Sequence, residues 1–257
     1  MLSVTPIPAL SDNYIWLLRQ DSSPAVCVVD PGESGPVIDH MERESLTLES
    51  ILITHHHPDH TGGLEALIKR YSPKVIGPDN PDIEGITDTV GEGDQVRVMG
   101  RLFDVFATPG HTLDHISFFA PGIPPLLFCG DTLFCAGCGR LFEGTPEQMH
   151  QALNRFAQLP EETLVFAGHE YTLANLKFAR HWLPDDTSLK EFEARCQKLR
   201  EDGKPTVPSI LGDEKRLNPF LRWDDKAVID AANHHTPEPV NSDNDVFAAT
   251  RRAKDTF

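Results

Sequence analysis

The sequence predicts an α/β fold, with sheets covered by helices, followed by an all-helical C-terminal unit. Three observations lead there. Short β-branched or aromatic runs bounded by Gly, Pro or Asp recur through the first two thirds of the chain. Several of these runs are apolar on both faces, which implies strands covered on both sides rather than open to water. After about His169 the strand-like runs stop and helical periodicity takes over.

Strands are expected at Val26–Val29, Ile51–Ile53, Lys74–Ile76, Gln95–Val98, Leu102–Ala107, His115–Phe119, Leu126–Cys129 and Leu164–Ala167. Helices interleave with them. One follows Thr61-Gly62-Gly63 and places Leu64, Leu67 and Ile68 on one stripe. Another opens at Thr145-Pro146-Glu147-Gln148, an N-cap with proline at the first helical position and Gln at the capping-box position, and lines up Met149, Ala152, Leu153 and Phe156. Beyond His169, Leu173–Trp182 and Leu189–Arg200 read as helices parted by the breaker Pro184-Asp185-Asp186. Glu201–Pro219, rich in Gly, Pro and charge, reads as a loop between helices, and His234–Asn244 as another before a short C-terminal helix. The domain boundary is therefore placed at 169/170.

With 257 residues the chain is long enough for one or two domains and a sizeable core. Hydrophobic residues make up 39% and charged residues 24%, a globular balance, and no run approaches the roughly 18 apolar residues of a membrane span. Lys plus Arg total 23 against 39 Asp plus Glu, and the formal charge of -16 repels phosphate backbones and acidic membrane surfaces. Neither nucleic acid nor membrane is expected as a partner. Met1–Leu10 carries no basic flank with a long apolar run, so a cytosolic protein is expected, and five cysteines, an odd number, fit reduced thiols there.

Histidine placement carries the chemistry. Four of the twelve histidines fall between His55 and His60. The buried run Ile51-Leu52-Ile53-Thr54 enters His55-His56-His57-Pro58-Asp59-His60 directly, and a helix follows. In extended backbone His55 and His57 share a face and His56 points away. Pro58 then turns the chain, so that Asp59 and His60 can return toward the same volume as an oxygen and a nitrogen ligand for a borderline metal. Three more segments repeat the layout of a hydrophobic strand, a glycine and a metal-capable residue: Gly110-His111, Gly130-Asp131 and Gly168-His169. Singly, each is a common turn or loop; together they point to a metal centre. Cys135-Ala136-Gly137-Cys138 has the spacing of a redox motif, but no thioredoxin-like βαβ context surrounds it.

These residues resemble the metallo-β-lactamase superfamily, whose His-x-His-x-Asp-His signature is matched by His55, His57, Asp59 and His60, with His111, Asp131 and His169 following in order. Within it the sequence is similar to the glyoxalase II (hydroxyacylglutathione hydrolase) family over essentially the whole chain. Thr54-His55-His56-His57, Pro109-Gly110-His111-Thr112, Gly130-Asp131-Thr132-Leu133-Phe134, Gly137-Cys138-Gly139-Arg140, Gly168-His169-Glu170-Tyr171-Thr172, Asn218-Pro219-Phe220 and Lys254-Asp255 carry that likeness. The resemblance implies an αβ/βα four-layer sandwich over 1–169 as the catalytic domain and a helical substrate-binding domain over 170–257. It implies two divalent ions, zinc first with iron or manganese also suited. His55, His57 and His111 would hold one, Asp59, His60 and His169 the other, with Asp131 bridging. His56 and His115 fall outside this ligand set.

The activity so implied is hydrolysis of S-(2-hydroxyacyl)glutathione thioesters, S-D-lactoylglutathione giving glutathione and D-lactate in the second step of methylglyoxal detoxification. By the resemblance, a bound ion pair would lower the pKa of a water toward ~7 for attack on the thioester carbonyl, and Asp59 and Asp131 would be the catalytic carboxylates. A thiol leaving group of pKa ~8.5 demands no general acid. Arg140, Arg251 and Lys254 are expected to meet the carboxylates of glutathione, Tyr171 to hydrogen-bond and Phe142 to form an aromatic wall; no partner beyond this small molecule is expected, and the chain should act as a monomer. Asp114 stands where the family usually has glycine, and Phe142 lacks a hydroxyl that relatives supply through tyrosine. The competing readings are a mono-iron glutathione persulfide dioxygenase on the same fold, a processing ribonuclease disfavoured by the acidity, and a non-catalytic metal-binding module.

Overall fold

The computed structural model describes residues 2–21, 23–237 and 239–257. The chain forms two compact units, Met1–Thr108 with Asp114–Gly130, and Pro109–Leu113 with Asp131–Phe257.

In the first unit, β1 (Leu2–Ala9), β2 (Asn13–Gln20), β3 (Ala25–Val29), β4 (Thr47–Leu52), β5 (Lys74–Gly77) and β6 (Asp88–Thr89) form one sheet in chain order. The first two joins are antiparallel and the rest parallel. Parallel neighbours need crossovers. These are supplied by α1 (Ser34–Glu44) between β3 and β4, and by α2 (Pro58–Thr61) and α3 (Leu64–Tyr71) between β4 and β5. Val37 and Met41 of α1 and Leu64 and Leu67 of α3 sit in one core cluster with Val26, Val28, Ile51 and Ile53. Val26, Val28, Ile51 and Ile53 alternate along the chain, so these helices cover one face of the sheet. A second, antiparallel set in this unit comprises β7 (Gln95–Val98), β8 (Arg101–Ala107), β9 (Ile116–Ala120) and β10 (Leu126–Gly130). The Ile116 N–H donates to the Thr54 carbonyl at 2.9 Å, tying the start of β9 to the chain just beyond β4.

The second unit contains the two-stranded β11 (Leu133–Phe134) and β12 (Gly137–Cys138), then α4 (Pro146–Ala157), β13 (Leu164–Ala167), α5 (Thr172–Trp182) and α6 (Thr187–Glu201). It continues with β14 (Ser209–Ile210), which pairs antiparallel with β13, then α7 (Leu211–Leu217), α8 (Lys226–His235) and α9 (Asp243–Asp255). The capping box expected at Thr145 is present in full, and Met149, Ala152, Leu153 and Phe156 are buried. Helix α6 starts on an Asp186 cap, at the breaker read from the sequence.

The structure adds elements that the sequence reading lacks, among them the two-residue β6, β11 and β12 and the single-turn α2. β1 and β2 carry no expected strand; in β1 Pro6 and Pro8 interrupt the pattern, and proline is tolerated there because β1 lies at the sheet edge. Helix α1 hides behind Ser34-Gly35-Pro36, where proline occupies the first turn and removes no helical hydrogen bond. Residues 201–219, read as a loop, hold β14 and α7. Helix α7 is too short to be stable alone and is fixed by burying Leu211, Glu214 and Leu217. Among the described residues no helix is long and apolar enough to cross a membrane.

Candidate metal centre

In the first unit the chain leaves β4 still extended: the Ile53 N–H donates to the Ile76 carbonyl at 2.9 Å and the Thr54 carbonyl accepts from Ile116. Alternation then operates as expected. The rings of His55 and His57 meet edge-on with centroids 4.7 Å apart, while His56 turns to Asp114, Nδ1 to Oδ1 at 2.9 Å. Asp114 also accepts from Asn80 at 2.8 Å, so its carboxylate anchors the middle histidine. Pro58 begins the single-turn α2, which brings His60 back to 4.2 Å from His55, centroid to centroid, and sets its Nε2 3.4 Å from Asp59 Oδ2.

Proton positions in this cluster follow from a carboxylate the sequence reading missed. Asp30 is buried, has a φ of 52°, and accepts from Thr54 N (2.8 Å), Thr54 Oγ1 (2.7 Å) and His60 Nδ1 (3.0 Å). A carboxylate only accepts, so a neutral His60 carries its proton on Nδ1 and turns the Nε2 lone pair outward. Thr54 has given its hydroxyl proton to Asp30 and so accepts at Oγ1 from His55 Nδ1, 3.0 Å away. His55 is thereby set in the same tautomer. Carboxylate-oriented imidazoles of this kind are how proteins prepare metal ligands. Asp30, His55 and His60 themselves present donor atoms within 4.8 Å of one another, but the oxygens of Asp30 face these three N–H and O–H groups, which makes Asp30 the orienting group rather than a ligand. His115 stacks on His55 at 4.8 Å with its Nδ1 on Thr108 Oγ1 at 2.9 Å. Gly130 closes this corner at φ 46°, where a Cβ would lie 2.4 Å from Thr54 Oγ1.

The second unit gathers His111, Asp131 and His169, all buried. The Nε2 atoms of His111 and His169 lie 3.4 and 3.3 Å from Asp131 Oδ2. His111 Nδ1 donates to the Arg140 carbonyl at 2.8 Å, so a neutral His111 directs its Nε2 lone pair at the carboxylate. Two electron-rich groups so placed repel unless a cation lies among them. Gly139 permits the approach, because a Cβ there would come within 1.9 Å of the Asp131 carbonyl oxygen. Imidazole and carboxylate donors with their tautomers fixed from behind fit borderline divalent ions.

The expected substrate residues all belong to the second unit. Phe142 is 62% exposed and lies edge-on to His111 at 5.3 Å; Tyr171 stacks on His169 at 4.6 Å and 6°. Arg140 is largely exposed, with Nε 3.4 Å from Asp255 Oδ1. Arg251 is placed differently: it is 4% exposed and donates to the Cys138 carbonyl (2.9 Å), the Gly139 carbonyl (3.4 Å) and Asp255 (2.9 Å), holding the turn that carries Arg140. Lys254 donates to Asn175 Oδ1 and lies over the Phe220 ring; burial, reinforced by Arg251, pushes its ammonium down to about 8. Cys135 and Cys138 are free, buried thiols, and burial raises both above the ordinary cysteine range, which leaves them protonated and poor nucleophiles. Besides Asp30, the sequence reading passed over Asn13, whose amide reaches Asp59, and Asn175, whose amide holds the Cys135 carbonyl, and it gave no role to Asn218, whose amide holds the carbonyls of Phe134 and Gly137.

Mixed α/β sheets with histidine–carboxylate clusters at their strand exits define the metallo-β-lactamase fold, and residues 10–169 match the model of the metallo-beta-lactamase superfamily. Residues 170–257 match the model for the hydroxyacylglutathione hydrolase C-terminus. The chain is 58% identical over 257 residues to a hydroxyacylglutathione hydrolase of Chromohalobacter salexigens, covering 100% of both, and 50% identical over 254 residues to one of Idiomarina loihiensis, covering 99% of each. Among solved structures, ETHE1 from Myxococcus xanthus superposes with a TM-score of 0.65 at 26% identity, covering 98% of this chain and 99% of that one. TTHA1623, solved in a di-iron-bound form, gives 0.55 at 25% identity over 65% of this chain and 91% of its own. The chain belongs to the hydroxyacylglutathione hydrolase family.

Proposed function

We propose that this protein is a metal-dependent thioester hydrolase that cleaves S-(2-hydroxyacyl)glutathione, S-D-lactoylglutathione in particular, to glutathione and the 2-hydroxy acid. Membership of the hydroxyacylglutathione hydrolase family over the full chain is the observation that carries this reading. The tautomer-fixed histidines support it from the side of chemistry. His55, His57 and His111 would hold one divalent ion and Asp59, His60 and His169 a second, with Asp131, whose two oxygens suit a bridge, shared between them. Zinc fits nitrogen-rich sites of this kind. Ions bound there would supply Lewis acidity at the thioester carbonyl and lower the pKa of a water.

The protein's own groups do the rest. Asp30 and Thr54 hold His60 and His55 with Nε2 lone pairs outward, and the Arg140 carbonyl does the same for His111. Asp59 and Asp131 serve as the catalytic carboxylates, taking up positive charge and orienting the attacking water. Arg140 and Lys254 recognise the glutathione carboxylates, Phe142 and Tyr171 wall the site, and Arg251 contributes by fixing the 138–139 turn. The thiolate of glutathione, with a conjugate acid of pKa about 8.5, leaves without a proton donor. Residues 1–169 act as the catalytic domain and 170–257 as the substrate-binding domain, a division supported by the family models that meet there. The enzyme works as a monomer in the cytosol, a compartment consistent with free, buried cysteines.

A thiol-release assay tests this. S-D-lactoylglutathione should be hydrolysed, non-glutathione thioesters and a β-lactam should be poor substrates, and metal-stripped protein should be inactive until zinc is restored. No thiol release, with about one iron per chain and oxygen uptake on glutathione persulfide, would assign the dioxygenase reading instead.

A further inference from the structure

Asn13 opens β2 at the end of the β1–β2 turn and is 6% exposed. Its Nδ2 lies 3.2 Å from the backbone carbonyl of Asp59 and 3.0 Å from Asp59 Oδ2. Both partners are pure acceptors, so the NH2 edge of the amide must face them. The turn is anchored separately. Leu10, at φ 50°, gives its N–H to Glu33 Oε2 at 2.6 Å, and Gly32 beside Glu33 packs so closely that a Cβ there would come 1.9 Å from the Asp59 carbonyl oxygen. Residues 10–13, 30–33 and 57–60 therefore form one packed corner of the first unit, with Asn13 cross-linking it to Asp59.

Asp59 needs such a partner. Its side chain is 38% exposed and sits in the first turn of a four-residue helix, where several rotamers are open. Two hydrogen bonds from one amide, to the carbonyl and the carboxylate of the same residue, select one of them. Aspartate Oδ2, the atom Asn13 grips, is also the atom 3.4 Å from His60 Nε2. We infer that Asn13 is a positioning residue, clamping Asp59 in the rotamer that lets it act as an oxygen ligand beside His60 and so setting the affinity of the ion these residues hold. The inference rests on the dinuclear reading of Asp59 given above.

The test is a double-mutant cycle on zinc binding. Zinc affinities of the full chain, Asn13→Ala, Asp59→Ala and the double variant are measured by competition with a chromophoric chelator, with the melting temperature of each metal-free protein as a check on the fold. Asn13→Ala should keep one zinc at wild-type affinity, weaken the other about 10–100-fold, and add nothing in the Asp59→Ala background. Unchanged affinity for both ions in Asn13→Ala, or a loss that persists when Asp59 is already alanine, overturns the role of Asn13. If Asn13→Ala does not fold, Asn13→Asp, which keeps the shape and has no N–H to give, carries the same comparison. A wild-type chain that takes up no second zinc overturns the dinuclear reading and this inference with it, whereas two zincs in wild type and an indifferent Asn13→Ala overturn this inference alone.

Discussion

Asp30→Asn separates charge from backbone at the centre of the first cluster. Asn tolerates the left-handed φ of 52° as well as Asp does, so the substitution adds no strain. It does replace one acceptor edge by an NH2. The Asp30 oxygens accept from Thr54 N, Thr54 Oγ1 and His60 Nδ1, and an amide can satisfy only some of these donors. If the amide oxygen stays on Thr54 N, its NH2 faces His60 Nδ1, which must then become the acceptor and move its proton to Nε2, the nitrogen proposed as the metal ligand. A hydrogen bond to a charged group is worth about 1.5–3 kcal/mol, which corresponds to about 10–150-fold in affinity. Zinc titration against a chelator should therefore show the His60 ion weakened by about one to two orders of magnitude, and nitrogen-15 spectra of the metal-free protein should show His60 changing tautomer. Wild-type affinity for both ions together with an unchanged His60 tautomer would refute the reasoning.

Other outcomes follow from the same geometry. Asp131→Asn should abolish thioester cleavage and lower the bound metal while circular dichroism reports an intact fold; retained cleavage removes the bridging role. Lys254 is held at about 8 against an ordinary 10.5. The unfolded chain therefore binds more protons between these values, and the penalty for burying the ammonium is complete below pH 8 and relieved progressively as pH rises through that window. The stability of Lys254→Met relative to wild type should accordingly decline from pH 8 to 10.5 in denaturant titrations, and a difference flat with pH contradicts the buried charge. Binding of glutathione thioesters should weaken with added salt despite the net charge of -16, because a Debye length of ~8 Å near physiological salt leaves the local cations of the second unit dominant; salt-independent KM values would argue against a cationic pocket.

The elements legible in the sequence were those whose reason is local. The Thr145 capping box, the buried run Val26–Val29 and the alternation through His55, His56 and His57 all carry their structural meaning within a few residues. The helix α7 and the strand β14 do not, because only tertiary burial makes such short pieces stable. The same division holds for the site. His55, His57, Asp59 and His60 stand in one motif, and the strand-glycine pattern exposes His111, Asp131 and His169. Asp30 follows the buried strand Val26–Val29 in a similar layout and could have been found by it, although its glycine comes after rather than before. Asn13 gives no such signal, since an asparagine after a turn is ordinary and only the fold brings it to Asp59. The resemblance leads one to expect Arg251 at a glutathione carboxylate, and only the structure shows its guanidinium bonded to the 138–139 carbonyls.

In the proposed dinuclear site seven side chains would hold two divalent ions that share Asp131. Anomalous diffraction at the zinc edge from crystals grown with excess zinc measures this directly. Two peaks per chain are expected, both in contact with Asp131, one bound also by His55, His57 and His111 and the other by Asp59, His60 and His169. A single peak, or two peaks without Asp131 in common, would contradict that arrangement.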